Sequence, residues 1–136
     1  MKSIFLVFCG RSVIEYFSVI RRIRSTAGQN RKAEDMKIRD ILGRGVPTIS
    51  FEVFPPKTAD NYESVKKAAL EIAQLKPAFM SVTYGAGGGT SRYTVDIAAA
   101  LKEQGGVTPL AHLTCVSSTK EKVHQVLGEL KERGIE

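Results

Sequence analysis

The sequence has few of the residues that build disulfide frameworks, metal clusters and membrane spans. It contains two cysteines and two histidines in 136 residues. Cys9 and Cys115 form neither a CxxC pair nor a spacing typical of metal ligands. Since stable disulfides depend on an oxidising compartment, two scattered cysteines favour free thiols in a reducing cytoplasm. No apolar run approaches the roughly 18 residues of a membrane span. Composition therefore argues against a disulfide-rich secreted domain, a metal site and a membrane protein.

Excess positive charge is scarce outside the N-terminal piece. The net charge is +6; residues 1–35 carry seven Lys/Arg against three Asp/Glu, and residues 36–136 carry thirteen against eleven. Because the larger part has no basic stripe with interleaved aromatic residues, we expect no nucleic-acid partner. Residues 1–35 are predicted to be a basic, poorly ordered extension. The alternative is a short amphipathic helix, with Val13, Phe17 and Ile20 on one face, that touches a membrane surface or directs organelle import.

Three strand–helix units are predicted after Met36. Segments rich in β-branched and aromatic residues with a period of two predict three strands, at 48–54, 78–84 and 107–116. Segments with apolar residues at helical spacing predict three helices, at 61–75, at 92–104 and between Ser118 and Gly134. Ser118 and Glu121 fit a capping box at the start of the third helix.

The order of these elements predicts the fold class. The strands begin about 30 residues apart, and a βαβαβα rhythm predicts parallel strands joined by right-handed crossovers. We therefore predict an α/β fold that comprises the first three βα units of a (β/α)8 TIM barrel, incomplete, with an unrelated N-terminal extension. An open doubly wound sheet is the alternative. The GxGxxG that it should carry after its first strand is replaced by Pro55-Pro56.

Polar residues mark one face of each predicted strand. Alternation places Glu52, Thr83 and His112 on the mixed faces, towards the C-terminal strand ends where barrel active sites are built. A carboxyl group there is suited to general acid catalysis, although a structural ion pair or hydrogen-bonded core acid fits the pattern too. His112 fits either a ligand contact or a satisfied core histidine. The glycine-rich loop at 85–91 is either a permissive turn or a site where a cofactor approaches the backbone.

Three motifs resemble a known family. "SFEVFPPKT", "SVTYGAGGGTSRYT" and "AHLTCV", in this order and at these distances, resemble the start of methylenetetrahydrofolate reductase. The resemblance runs from about Met36 to Glu136. It implies that residues 36–136 are the N-terminal part of a flavin-binding TIM-barrel domain.

The resemblance also implies an activity and a set of site residues. Family members use FAD and NADH or NADPH to reduce 5,10-methylenetetrahydrofolate to 5-methyltetrahydrofolate, in one-carbon and methionine metabolism. The family's general acid falls on Glu52. Its flavin and nicotinamide contacts fall on four residues: Thr83, Tyr84, Ala86 and His112. The implied partner is a folate small molecule, the implied location is cytoplasmic, and a homo-oligomer is compatible with the full-length enzyme.

Length is the departure from the family pattern. The family's next landmark, an Arg-Gly-Asp stretch after the fourth strand, falls beyond Glu136, and three βα units cannot close a barrel. We therefore expect residues 1–136 alone neither to hold FAD tightly nor to turn over. Two other readings stay open. One is a non-catalytic fragment or small binding module, and the other is a non-flavin barrel enzyme such as a lyase or aldolase.

Overall fold

Strands and helices alternate along the part of the chain that the structure describes. The computed structural model describes residues 3–8, 36–45, 47–56, 58–84, 91–116 and 118–135. The strands are β1 (Ser3–Phe8), β2 (Thr48–Val53), β3 (Phe79–Val82) and β4 (Pro109–Ala111). The helices are α1 (Ile38–Leu42), α2 (Tyr62–Ala73), α3 (Ser91–Glu103) and α4 (Lys120–Glu132). A 3-10 turn at Ala59–Asn61 leads into α2.

The strands form one parallel sheet in the order β1-β2-β3-β4. Because parallel neighbours cannot be joined by a tight hairpin, each pair needs a crossover, and α2 and α3 provide the crossovers from β2 to β3 and from β3 to β4. The predicted α/β class with parallel strands and intervening helices is confirmed. Closure into a barrel stays a prediction.

The third predicted strand is shorter than its sequence pattern. β4 covers Pro109–Ala111, whereas the pattern predicted 107–116. The ladder extends one residue beyond each end, because the Met80 amide donates to the Thr108 carbonyl at 3.0 Å and the His112 amide donates to the Val82 carbonyl at 2.9 Å. β3 has four residues, so it can pair with only this length of β4. The C-terminal end predicted for this strand was wrong.

The first strand was not predicted. β1 pairs with β2 from Ser3 opposite Thr48 to Phe8 opposite Val53. The prediction of a poorly ordered extension over residues 1–35 contained no strand. Most of that extension, including Cys9 and the alternative amphipathic helix, lies outside the described residues.

One face of the sheet packs under the helices to form the core. The apolar strand residues Phe51, Val53, Met80 and Val82 are each at most 5% exposed. They belong to one cluster with residues from all three long helices: Ala69, Ile72, Ala73, Val95, Ile97, Ala98, Ala99, Leu101, Val126 and Leu130. The predicted apolar strand faces are confirmed for β2 and β3. Because this face is covered by helices, the opposite face is left to carry the polar residues.

The start of α4 differs from the predicted capping box by one position. The Thr119 hydroxyl accepts a hydrogen bond from the Lys122 amide at 3.2 Å, so Thr119 is the N-cap. The prediction of Ser118 was wrong. Consecutive hydroxyl residues precede this helix, and only the path of the chain into the helix selects which one caps it.

Candidate active site

Glu52, Thr83 and His112 meet at one edge of the sheet. Glu52 is the penultimate residue of β2, and Thr83 and His112 directly follow β3 and β4. Since the strands are parallel, their C-terminal ends lie at the same edge. The backbone ladder continues through this edge, because the Thr83 amide donates to the Val53 carbonyl at 2.9 Å. The three strand ends therefore converge as predicted.

The Glu52 carboxylate and the His112 imidazole form the charged centre of this edge. Nδ1 of His112 lies 3.8 Å from Oε1 of Glu52. The side chain of Glu52 is 15% exposed and that of His112 is 43% exposed. The separation is within ion-pair range when the imidazole is protonated, and it is longer than a hydrogen bond. The edge therefore carries a sheltered carboxyl group and a solvent-reaching imidazole, the two kinds of side chain most often used in general acid–base catalysis.

Thr83 ties β3 to β2 immediately beside Glu52. Its hydroxyl donates to the Val53 carbonyl at 3.3 Å, and its amide donates to the same oxygen. The hydroxyl is thus engaged within the sheet, although its oxygen keeps lone pairs that can accept a bond from a ligand.

The carbonyl of Thr83 is satisfied by a residue that the sequence analysis missed. The register of β2 with β3 makes residue 55 the next donor to this carbonyl. That residue is Pro55, which has no N–H to donate. The Thr94 hydroxyl, from the first turns of α3, donates to the Thr83 carbonyl instead at 2.8 Å. Thr94 is 1% exposed. A polar residue on a helical stripe with buried Ile97 was the available signal.

Ser81 is the second residue that the sequence analysis missed. It pairs in register with Glu52 on one side and with Leu110 on the other, so the three share a face of the sheet. Ser81 is fully buried. Within the described ranges, its Oγ is a buried side-chain oxygen with no hydrogen-bond partner. An unpaired hydroxyl in the row of the candidate acid is an uncommon feature of a folded protein.

Apolar surface borders the charged pair. By alternation Phe54 follows Glu52 on the same face, and the residue is 44% exposed. Leu110 lies two residues before His112 on that face and is half-buried. The site therefore combines a carboxyl group and an imidazole with an accessible aromatic ring. This is the composition of a small-molecule site, where apolar surface provides contact area and a few polar groups fix orientation.

The two remaining predicted contacts are Tyr84 and Ala86. Tyr84 is half-buried and packs against the core cluster, so part of its ring serves the core. Ala86 lies within residues 85–90, outside the described residues. The role of each as a cofactor contact stays a prediction.

No second kind of site was found in the described ranges. No three His, Cys, Asp or Glu side chains gather there as a metal site would require. No helix in the described part of the chain is long and apolar enough to cross a membrane.

Comparison with known proteins gives consistent matches over the strand–helix units. A family model described as methylenetetrahydrofolate reductase matches residues 37–136. The chain is similar to a 5,10-methylenetetrahydrofolate reductase of Pectobacterium carotovorum, with 35% identity over 105 residues, which are 77% of this chain and 35% of that protein. The corresponding reductase of Escherichia coli K12 is 33% identical over 105 residues, with the same coverage. Methylenetetrahydrofolate reductase (NADH) 1 of Arabidopsis thaliana is 34% identical over 100 residues, which are 74% of this chain and 17% of that protein. The chain thus spans about a third or less of the length of these relatives.

Proposed function

This chain belongs to the methylenetetrahydrofolate reductase family, and from that premise we propose that its three βα units form the first part of a flavin-dependent (β/α)8 barrel. The reaction proposed for the whole protein is reduction of 5,10-methylenetetrahydrofolate to 5-methyltetrahydrofolate, with FAD as cofactor and NADH or NADPH as reductant. The observation that carries the proposal is the Glu52–His112 pair, 3.8 Å apart at the C-terminal edge of the parallel strands. Barrel enzymes place their catalytic groups at this edge.

Glu52 is the proposed general acid. Ring opening of the folate substrate makes a nitrogen the leaving group, and a proton delivered to that nitrogen lowers the barrier to C–N cleavage. The carboxyl group is largely sheltered from solvent, so its proton is directed to the bound substrate rather than lost to water. The neighbouring imidazole, 3.8 Å from Oε1, can then return a proton from solvent through one bridging water. A flavin held at this edge, once reduced by NADH or NADPH, would supply the hydride that the opened substrate carbon accepts.

The residues at the strand ends fit a flat cofactor with a polar rim. Phe54 and Leu110 offer apolar surface, and the exposed His112 imidazole offers hydrogen-bonding capacity. We propose that His112, Thr83, Tyr84 and Ala86 contact the flavin or the nicotinamide.

The isolated chain has a clear expected behaviour. It supplies three strand–helix units of the proposed eight, so we expect purified residues 1–136 neither to retain yellow flavin nor to oxidise NADH with menadione as acceptor. Stoichiometric flavin together with menadione-dependent oxidation would contradict this. For the whole protein we propose a cytoplasmic location and a homo-oligomeric state, which fractionation and light scattering test.

The role of Glu52 is best tested in a complete barrel. Residues 37–136 can replace the matching segment of the E. coli relative, and the chimera can be assayed in two half-reactions, NADH oxidation and folate reduction. Glu52→Gln keeps the side-chain shape and removes the acid, so folate reduction should fall by about 100-fold or more while NADH oxidation persists.

Glu121→Gln, at an exposed position on α4, is the matched control and should leave both half-reactions unchanged. Equal loss of both half-reactions in Glu52→Gln would make Glu52 structural and sink the proposed role.

A further inference from the structure

Ser81 lies beneath the two charged side chains of the candidate site. Glu52 belongs to β2 and His112 directly follows β4, and β3 runs between these two strands. Because neighbouring strands lie about 4.8 Å apart, the backbones of β2 and β4 are separated by roughly 9.6 Å. The two side chains nevertheless approach to 3.8 Å, so they lean towards each other across β3. The residue of β3 in register with Glu52 is Ser81.

The Ser81 side chain is on the same face of the sheet as the candidate acid. Its neighbours along the strand, Met80 and Val82, both belong to the core cluster under the helices, and alternation turns Ser81 to the opposite face. There it is 0% exposed. In the part of the chain that the structure describes, its Oγ has no hydrogen-bond partner. A buried hydroxyl without a partner costs free energy, so this hydroxyl does not stabilise the fold in the state that the structure shows.

Among the described residues in register with Ser81 or next to it on this face, one offers a free side-chain acceptor within reach. Leu110, on the β4 side, and Phe79, two residues earlier on β3, have no polar side-chain atom. Thr83 is two residues further along, about 6.6 Å away, and its hydroxyl is already bonded to a carbonyl of β2. The remaining neighbour is Glu52. A change of rotamer brings its carboxylate over Ser81 without any movement of the backbone.

We propose that Ser81 is a positioning residue for Glu52, and that its hydroxyl donates to the carboxylate that forms when the acid gives up its proton. This inference rests on the proposed function. As the C–N bond of the folate breaks, its electron pair stays on the nitrogen, and the nitrogen takes the proton from Glu52. Ser81 keeps its own proton and gains a charged acceptor, so its hydrogen bond is stronger after the transfer than before. An interaction that strengthens towards the transition state raises the rate of the step.

The test uses the chimera in which residues 37–136 replace the matching segment of the E. coli relative. Ser81→Ala should lower kcat for folate reduction by about tenfold or more. The KM for folate should change by about twofold or less, because the buried hydroxyl acts on the acid and not on the substrate. Oxidation of NADH with menadione does not use the acid, so it should fall far less than folate reduction.

Ser81→Thr and Ser81→Val separate the hydroxyl from packing. The two side chains have similar shapes and add the same volume to a fully buried position, and only threonine carries a hydroxyl. The threonine protein should therefore reduce folate about tenfold or more faster than the valine protein. In Glu52→Gln, which has no acid to assist, adding Ser81→Ala should change the residual rate by about twofold or less.

The 1–136 chain supplies a readout that needs neither flavin nor folate. Since the hydroxyl has no partner among the described residues, Ser81→Ala should keep Tm within about 5 °C of the unaltered chain. A larger fall would show that the hydroxyl has a structural partner, and it would overturn the proposal.

Three results from the chimera also overturn the proposal. One is equal folate reduction by the threonine and valine proteins. Another is a higher KM for folate with an unchanged kcat in Ser81→Ala. The last is an equal loss from Ser81→Ala with and without Glu52. Failure of the proposed function looks different, because Glu52→Gln alone would then lower both half-reactions equally. If the chimera holds no flavin, the Tm of Ser81→Ala in the 1–136 chain decides the matter.

Discussion

Removing the Thr94 hydroxyl should destabilise the chain through the carbonyl of Thr83. Thr94→Val keeps the shape of the side chain and deletes the 2.8 Å hydrogen bond from its Oγ1 to that carbonyl. Pro55 cannot replace the donor, because it has no N–H. The Thr83 carbonyl then loses this donor. The side chain at position 94, which lies beside the carbonyl, is 1% exposed.

The magnitude follows from the cost of leaving a half-buried acceptor, in contact with the buried Thr94 side chain, without its donor. That cost is about 1–3 kcal/mol. For a domain of this size each kcal/mol lowers Tm by about 3–5 °C. We therefore expect a Tm decrease of about 6–10 °C for a loss near the middle of the range, with an unchanged urea m-value.

The assay is urea and thermal unfolding followed by circular dichroism, with Thr94→Ser as the matched control. Serine keeps the hydroxyl and loses one methyl group, so it should cost about 1 kcal/mol or less. The reasoning is refuted if Thr94→Val unfolds within about 0.5 kcal/mol of the unaltered chain. It is also refuted if serine and valine cost the same, since the loss would then come from packing.

Three further predictions concern stability. Ser81→Ala should be neutral or stabilising by up to about 1 kcal/mol, because the buried hydroxyl that it removes has no partner among the described residues. A free energy of unfolding lowered by more than about 1 kcal/mol would reveal a partner in solution. Gly105→Ala should cost about 1–3 kcal/mol, since a Cβ there would lie 2.6 Å from a backbone oxygen of α3. A Cβ at Gly128 would meet no atom of the described residues within 4 Å, so Gly128→Ala should instead stabilise α4 by about 0.5–1 kcal/mol. Burial, and then the Asp96 carboxylate, raise the pKa of Tyr62 above its ordinary 10.0. The folded state thus disfavours the phenolate. The contribution of Tyr62 to the free energy of unfolding is therefore fully present below pH 10 and is lost as the pH rises above it. Tyr62→Phe should lack this alkaline decline in urea midpoint, and a parallel decline in both proteins would contradict the assignment.

Thr94 compensates for the missing N–H of Pro55, which explains how the candidate site can lie on a strand that is followed by two prolines. Pro55 follows the candidate acid after Val53 and Phe54, and because it has no N–H it leaves a backbone acceptor on β3 without its next rung. A hydroxyl from α3 takes over that acceptor. The end of β3 is therefore held on two sides, by α3 at the Thr83 carbonyl and by β2 at the Thr83 amide and hydroxyl. The same bond fixes the main chain at Thr83, just before Tyr84 and the glycine-rich segment proposed to meet the cofactor.

Glu52 and His112 could be predicted from the sequence because the period of two fixes the face of the strand on which each residue lies. Glu52 lies on the mixed face of a period-two segment, and His112 lies at the end of another. Parallel order then brings the two to one edge. Thr94 and Ser81 were missed for a different reason. Each looks ordinary in the sequence, and its meaning depends on an atom that belongs to another element.

The sequence by itself determined the local features of this protein: the order of the three strand–helix units after Met36, the apolar faces of β2 and β3, and the motifs that mark the family. These features depend on residues a few positions apart, whose spacing fixes which side of an element they occupy. The tertiary structure decided the 3.8 Å separation of Glu52 from His112, the donor to the Thr83 carbonyl and the strand that pairs beside Glu52. These depend on register between distant segments, and a shift of one residue would turn each side chain to the opposite face.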